Sequence, residues 1–353
     1  MTLIDWGCTQ KVVEDAKSRG WEAQSIRRVI ASAKGSYEVT DGDRATHAQV
    51  SGAFAYRAAL PSDYPTTGDF VACREEGGAT VIEAVLPRRG VVSRKTAGAK
   101  SDEQLLASNV DAAFIVLALD SGRGFLPRLL ERYLSIVCSS DVAPIVVLNK
   151  ADLAEHPQEM TDEARKAAPG VEIHAVSALT GLGLEELKAK LEPAKTFLLL
   201  GKSGSGKSTL LNALFGSQIA KTGDVREQDM KGKHTTTSRE IVMMENGAML
   251  MDTPGIREAA LQGHDSGIDE CFADVAAYAC ACRFGDCTHT SEPGCAVRAA
   301  VDAGLLESDR CESYLSLKKE SRYNEARSRE TAGQLEKKKW KQISKIQRTY
   351  SKK

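Results

Sequence analysis

The sequence predicts a multidomain α/β protein: an N-terminal OB-like β-barrel, a doubly wound α/β domain, and a helical C-terminal domain. Three observations carry this prediction. Short β-like runs separated by turn residues fill residues 35–95, and apolar strands alternate with helical stretches over 105–258. Past residue 260 the chain turns helical and gathers cysteines. At 353 residues it is also too long for one small domain. The expected division is an N-terminal extension (1–34), the barrel (35–95), the α/β domain (96–260), the helical domain (261–317) and a basic tail (318–353).

Residues 1–34 read as a polar, partly helical lead-in, with Val12, Ala16 and Ile26 among many charges. The barrel is read from Ala45–Gln49, Phe54–Leu60, Phe70–Arg74 and Ala79–Leu86, punctuated by Asp41-Gly-Asp43, Pro65-Thr-Thr-Gly-Asp69 and Glu76-Gly-Gly78. Arg94–Gln104 is polar and basic, and reads as a linker. The α/β rhythm follows in Phe114–Leu119, Ile145–Leu148, Val171–Val176, Phe197–Leu200, Glu240–Met244 and Met249–Met251. Helical stretches such as Pro127–Ser139 and Leu184–Leu191 lie between them.

Composition sets the class. With 42% hydrophobic and 27% charged residues, the chain is ordinary globular protein and not disordered, collagenous or a disulfide miniprotein. The N-terminus lacks a basic segment leading into an apolar one, and the longest apolar run, Ala112–Leu119, is far short of a bilayer span. A cytoplasmic protein with no membrane partner is expected. The net charge of −1 hides an asymmetry. Residues 318–353 hold 13 basic and 4 acidic side chains, a net +9, whereas the preceding 317 hold 34 basic and 44 acidic, a net −10. Of nine cysteines, five fall between Cys271 and Cys295, which favours metal ligation over disulfides. Cys8, Cys73 and Cys138 read as small apolar fillers.

Gly201-Lys202-Ser203-Gly204-Ser205-Gly206-Lys207-Ser208 fits G-x-x-x-x-G-K-[ST] and sits between the strand Phe197–Leu200 and a helix opening at Thr209. The glycines let backbone N–H groups curl around phosphates, Lys207 neutralises β/γ charge, and Ser208 offers a hydroxyl to Mg²⁺. Asp252-Thr-Pro-Gly255 follows Met249–Met251; its carboxylate is placed to hold Mg²⁺ through water, and Gly255 frees an N–H for a γ-phosphate. Between these lies Lys231-Gly-Lys-His234-Thr235-Thr236-Thr237, read as a switch loop in which Thr235 or Thr236 completes the magnesium shell.

Asn149-Lys150-Ala-Asp152 ends the strand Ile145–Leu148. Asp152 can accept two hydrogen bonds from guanine, whereas adenine would leave a desolvated carboxylate unpaired at about 1–3 kcal/mol. Lys150 packs over the base while Asn149 braces neighbouring loops. Ser177-Ala178-Leu179 follows another strand and can support the base through a backbone N–H. These are the motifs of a P-loop GTPase, but the base-reading pair at 149 and 177 precedes the phosphate loop at 201. The domain is circularly permuted, so its second switch runs directly into the cysteine-rich region and can carry that region with it.

That region holds Cys282, Cys287, His289 and Cys295, whose three thiolates and one imidazole give a closed tetrahedral Zn²⁺ set. Cys280 is a rival to Cys282, and Cys271 a more distant one. Ile256 stands where many GTPases place a water-orienting Gln, which predicts slow intrinsic turnover and an activator. His234 is a candidate for orienting that water. In the tail, Lys337-Lys-Lys-Trp340-Lys341 suits RNA phosphate contacts with one stacking aromatic.

The permuted motifs, upstream barrel and Cys-x4-Cys-x-His-x5-Cys spacing together resemble the ribosome small subunit-dependent GTPase A (RsgA) family over roughly residues 35–317. Gln104-Leu-Leu-Ala-Ser-Asn-Val-Asp111, Glu131-Arg-Tyr-Leu134, Lys233-His-Thr-Thr-Thr237 and Cys287-Thr-His-Thr-Ser-Glu-Pro-Gly-Cys295 carry the likeness. The resemblance implies an OB-fold domain, a permuted GTPase and a helical zinc domain. It implies GTP hydrolysis to GDP stimulated by the 30S subunit during its late maturation, with contact to 16S rRNA. It also implies GTP binding by Gly201–Thr209 and Asn149–Asp152 and zinc on Cys282, Cys287, His289 and Cys295; a monomer is expected. Two other functions compete: a large-subunit assembly GTPase, and an RNA-binding adapter whose G domain only binds nucleotide.

Overall fold

The structure is a computed structural model that describes residues 1–33, 35–95, 103–120, 126–217, 239–252 and 265–323. The chain opens with α1 (Gln10–Ser18), whose Val12 and Ala16 are buried. Five strands then close a barrel: β1 (Ile26–Ala33), β2 (Ser36–Thr40), β3 (Ala45–Val50), β4 (Phe70–Glu76) and β5 (Ala79–Val85). Closure runs β1–β2–β3–β5–β4 and back to β1. Val29, Val39, Val71 and Ile82 fill its interior, while Cys8, Val12 and Ala16 cover one end against Ile26 and Phe70.

Three expectations are corrected here. Ile26–Ala33 lies in the stretch read as a lead-in, yet it pairs with both β2 and β4, so barrel strands begin before residue 35. The pattern was hidden because Arg28, fully buried, interrupts the apolar alternation. Second, Phe54–Leu60 is not a strand: Gly52–Arg57 form a short helix, α2, capped by Ser51 Oγ, which accepts from Phe54 N at 3.0 Å. Third, the ends of the supposed linker are strands, β6 (Val92–Lys95) and β7 (Glu103–Ala107), which pair antiparallel.

The α/β domain follows as β8 (Ala112–Ala118), α3 (Pro127–Cys138), β9 (Ala143–Asn149), α4 (Pro157–Ala167), β10 (Glu172–Ala175), α5 (Leu184–Lys188), β11 (Thr196–Leu200), α6 (Lys207–Phe215), β12 (Arg239–Met243) and β13 (Met249–Asp252). The sheet order is β10-β9-β8-β11-β13-β12. All neighbours are parallel except β12, which runs antiparallel to β13. Alternate residues of each parallel strand face opposite layers, the signature of a sheet covered on both sides. Ala113, Ile115 and Leu117 pack with α3 and α4, whereas Phe114 and Val116 pack with α5 and α6. Strand order reverses between β8 and β11, the switch point at which such sheets place ligands beyond their carboxyl ends.

The barrel and this sheet are continuous. β1 pairs with β12 through Ala31↔Glu240 and Ser32↔Arg239, giving one eleven-stranded hydrogen-bonded surface. Arg28 seals the junction from within. Its guanidinium donates to Trp6 O, to Thr196 Oγ1 at 2.7 Å and to Asn109 O at 3.4 Å, and lies over the Phe70 ring. Burial lowers its pKa to about 10.

The C-terminal part contains α7 (Asp265–Cys271), α8 (Ala273–Ala279), α9 (Ala296–Asp302) and α10 (residues 308–323). Ile268, Phe272, Val275, Val297 and Tyr314 form its core. Arg310 anchors it to the α/β domain, donating to Asp274, to Ala167 O at 3.0 Å and to Cys271 O at 2.9 Å. Among the described residues no helix is long and apolar enough to cross a membrane.

Candidate functional site

β11 delivers the chain to Gly201 at the reversal of strand order, and α6 begins at Lys207 six residues later. Two glycines make the turn possible. Gly201 lies so close to β8 that a Cβ would come within 2.3 Å of Val116 O. Gly206 caps α6 with φ 86°, and a Cβ there would meet Asn149 Nδ2 at 2.3 Å. Lys207 is buried; its Nζ donates to Gly201 O at 2.8 Å and to Lys202 O at 3.0 Å, so the ammonium lies across the loop. Lys202, Ser203 and Gly204 are exposed, Ser205 is buried, and Ser208 and Thr209 are half-buried on the first turn of α6.

Asn149 ties this loop to two others. Its Nδ2 donates to Ser205 O at 3.0 Å, and its Oδ1 accepts from Ala178 N at 3.1 Å. It is 1% exposed, so these bonds operate away from water. Lys150 follows in the left-handed region at φ 63°, with its ammonium 3.0 Å from Asp120 Oδ2. Asp152 is exposed on the next short turn. Ser177 is buried, and its Oγ accepts from Thr180 N at 3.1 Å, which fixes the Ser177–Ala178 loop beside Asn149. Residues separated by up to 57 positions thus share one rim of the sheet. Asp120 escaped the sequence reading because a single carboxylate after a strand carries no pattern.

Asp252 ends β13, paired with Leu199 of β11, and so stands beside the root of the phosphate loop. His234, Thr236 and Gly255 lie outside the described residues, as does the tail beyond residue 323.

The second constellation lies between α8 and α9. One donor atom each from Cys282, Cys287, His289 and Cys295 fall within 4.8 Å of one another. Cys282 Sγ is 3.9 Å from Cys295 Sγ, and each of these sulfurs is 3.5 Å from His289 Nδ1. A tetrahedral ion with Zn–S of about 2.3 Å and Zn–N of about 2.0 Å needs sulfur–sulfur and sulfur–nitrogen separations of about 3.8 and 3.5 Å. The residues fit such an ion. Burial lowers the His289 pKa and keeps the imidazole in its neutral, ligating form. Burial works to raise the Cys282 thiol, but N–H groups of Val297 and Ala296 and the neighbouring thiols hold it below its ordinary value.

Cys280 is exposed and stands outside the cluster, and Cys271 lies against Glu131 O and the Cys138 thiol. Glu292 is a residue the sequence reading missed. It accepts from Thr288 N at 2.8 Å and from Thr290 N and Ser291 N at 3.1 Å, folding the loop that carries His289. The Thr288 hydroxyl also donates to it, and this bond first, then the N–H bonds, hold its carboxyl down at about 2. Its signal was the Thr-x-Thr-Ser-Glu run, a turn with its own acceptor.

A family model described as RsgA GTPase matches residues 85–262. An ABC transporter model matches residues 184–350, which include the phosphate loop but not Asn149–Asp152. A small ribosomal subunit biogenesis GTPase RsgA 2 of Lactiplantibacillus plantarum is 41% identical over 334 residues, covering 94% of this chain and 92% of the relative. A small ribosomal subunit biogenesis GTPase RsgA of Opitutus terrae is 43% identical, covering 91% and 87%. Among solved structures, YjeQ from Thermotoga maritima superposes with a TM-score of 0.63 at 24% identity, covering 84% of this chain and 98% of that one. A further solved structure, YloQ, described as a circularly permuted GTPase, gives a TM-score of 0.59 and shares the fold. With relatives above 40% identity along nearly the whole chain and a family model over half of it, the protein belongs to the RsgA GTPase family.

Proposed function

We propose that this protein is a cytoplasmic, monomeric GTPase that binds the 30S ribosomal subunit through its 16S rRNA. It hydrolyses GTP to GDP and phosphate when the subunit stimulates it, and so assists late subunit maturation. The observation that carries the reading is Asn149, which joins the phosphate loop and the Ser177–Ala178 loop at the switch point of the sheet. A site with those two loops locked together reads a guanine base at one end and a triphosphate at the other. The curated relatives are named for biogenesis of that subunit.

In this reading Gly201–Thr209 cradle the phosphates with backbone N–H groups and the amino end of α6, and Lys207 neutralises β/γ charge. Asp152 accepts from the guanine, Lys150 covers the base plane under the restraint of Asp120, and Ala178 supports the base edge. Ser208 and Thr236 would hold Mg²⁺, with Asp252 reaching it through water; when bound, the ion offsets charge between the β- and γ-phosphates. Gly255 offers its N–H to the γ-phosphate and His234 orients the attacking water. Zn²⁺ on Cys282, Cys287, His289 and Cys295 would hold the C-terminal loop closed. The domain division follows the sequence reading, with the barrel beginning at Ile26.

The test is GTP turnover by the full chain alone, with purified 30S subunits and with 50S subunits. Turnover should be slow alone and rise only with 30S. Stimulation by 50S alone, or by neither, would overturn the proposal.

A further inference from the structure

We propose that Cys138 of α3 and Cys271 of α7 are a modification site, which a hydroperoxide oxidises to a reversible disulfide that clamps the C-terminal helices to the α/β domain. Neither thiol belongs to the residues assigned to nucleotide or zinc. Cys138 reads from sequence as an apolar filler, but both cysteines are half-buried, so a small oxidant reaches them. The pairing stands on geometry; only its effect on turnover rests on the proposed GTPase reading.

The fold brings the two together where its domains touch. Gly267 of α7 lies directly on α3: a Cβ there would come within 2.3 Å of Ser135 O and 2.5 Å of Ser139 Cβ. Without that Cβ the two backbones approach closely. Cys138 is three residues from Ser135 and Cys271 four from Gly267, so each lies one turn away on the contacting face. Cys271 packs both with the core of the α/β domain and with that of the C-terminal helices. Its Sγ stands 4.0 Å from Glu131 O, and its S–H donates to the Cys138 sulfur. α7 is also the first described helix after Asp252. On the GTPase reading, a clamp there opposes motion passed from the second switch to the C-terminal helices.

The contact also divides the roles of attacking and resolving sulfur. The bond from Cys271 holds the Cys138 thiol below its ordinary value, against burial and Glu270. The same bond, then burial, raises the Cys271 thiol. Elsewhere burial raises Cys8 and Cys311, and it pushes Cys73 up to about 12. The thiolate is the nucleophile, so Cys138 attacks first. Its sulfur bonds to one oxygen of hydrogen peroxide, the O–O bond breaks, and the departing hydroxide takes up the Cys138 proton as water. Cys271 then attacks the sulfenic sulfur: the S–S bond forms, the S–O bond breaks, and the second hydroxide leaves with the Cys271 proton. Two thiols and one peroxide thus give one disulfide and two waters, and a thiol reductant reverses the step.

The experiment treats the full-length, zinc-loaded protein with graded hydrogen peroxide, blocks free thiols and maps the peptides by mass spectrometry. A Cys138–Cys271 cross-link should form before zinc is released and disappear with dithiothreitol. Cys271→Ser should leave Cys138 as a sulfenic acid that dimedone labels, whereas Cys138→Ser should leave Cys271 unlabelled. The oxidised protein should melt about 5 °C above the reduced one, as a cross-link closing a long loop does. With 30S subunits, oxidation should lower stimulated but not basal turnover, and Cys271→Ser should lose that response. Both thiols still free when zinc is lost would overturn the site, and so would cross-links from either cysteine to Cys280 or Cys282 in its place. Dimedone on Cys271 instead of Cys138 would overturn the division of roles, and an equal melting temperature would overturn the clamp. A mapped cross-link with unchanged 30S stimulation would overturn the effect on turnover. Absence of any GTP turnover would instead overturn the GTPase reading and leave the disulfide standing.

Discussion

Replacing Asn149 by Ala tests the central joint of the nucleotide site. The wild-type amide makes one good bond to each loop, 3.0 Å to Ser205 O and 3.1 Å to Ala178 N, at a position only 1% exposed. Truncation leaves a carbonyl and an N–H buried without that partner, at about 1–3 kcal/mol each. Partial relaxation of two loops brings the sum to about 2–4 kcal/mol. If the loss falls on binding, affinity for GDP drops by roughly 30- to 1,000-fold, since 1.4 kcal/mol is tenfold. If it falls on folding, the melting temperature drops and affinity holds. Measuring both, with a fluorescent GDP analogue and by calorimetry, partitions the effect. Asn149→Asp separates the two bonds further: it keeps an acceptor for Ala178 N but sets a carboxylate oxygen against Ser205 O. The aspartate variant should bind GDP more weakly than the alanine variant. Affinity within threefold of wild type together with an unchanged melting temperature in Asn149→Ala would refute the joint.

Metal analysis should return one zinc per chain, lost in Cys287→Ser and on chelation, while Cys280→Ser keeps it; loss in Cys280→Ser would reassign the ligand set. Arg28→Met should lower stability by about 2–4 kcal/mol, because Trp6 O and Thr196 lose buried bonds; an unchanged melting temperature would deny the junction its strength. Burial raises the Glu131 pKa above its ordinary value, so the folded chain holds that proton after the unfolded chain has released it. Stability of the packing between α3 and the C-terminal helices should therefore fall as pH rises from about 4.5 through the folded value, and proteolysis of Glu131→Gln across that window should lack the slope.

Much of this architecture was legible because its signals are local. The phosphate loop announced itself by glycines between an apolar strand and a helix, and the cysteines by spacing alone. Geometry then separated what spacing could not: Cys282 joins the cluster and Cys280 does not. The failures share a physical cause. Ile26–Ala33 was obscured by Arg28, whose polarity is matched by partners as far away as Thr196, which no local window contains. Ala-Phe-Ala-Tyr-Arg in α2 alternates as a strand would, but the Ser51 cap and the packing of Phe54 against Tyr64 hold it as a helix. Asp120 and Glu131 draw their significance from neighbours brought by the fold.

The ladder between β1 and β12 also bears on the order in which the molecule can be made. β1 emerges from the ribosome early and finds its partners β2 and β4 within the next fifty residues, with β5 following directly, so the barrel can close at once. Its Ala31–Ser32 edge faces Arg239–Glu240, roughly 200 residues downstream, and at 5–20 residues per second that partner arrives on the order of 10–40 s later. Through that interval the nascent chain presents a short unpaired strand edge, the kind of surface on which chains misassemble. Brevity is its protection: two residues of register offer little to a foreign strand, yet suffice once the sheet beside them is complete.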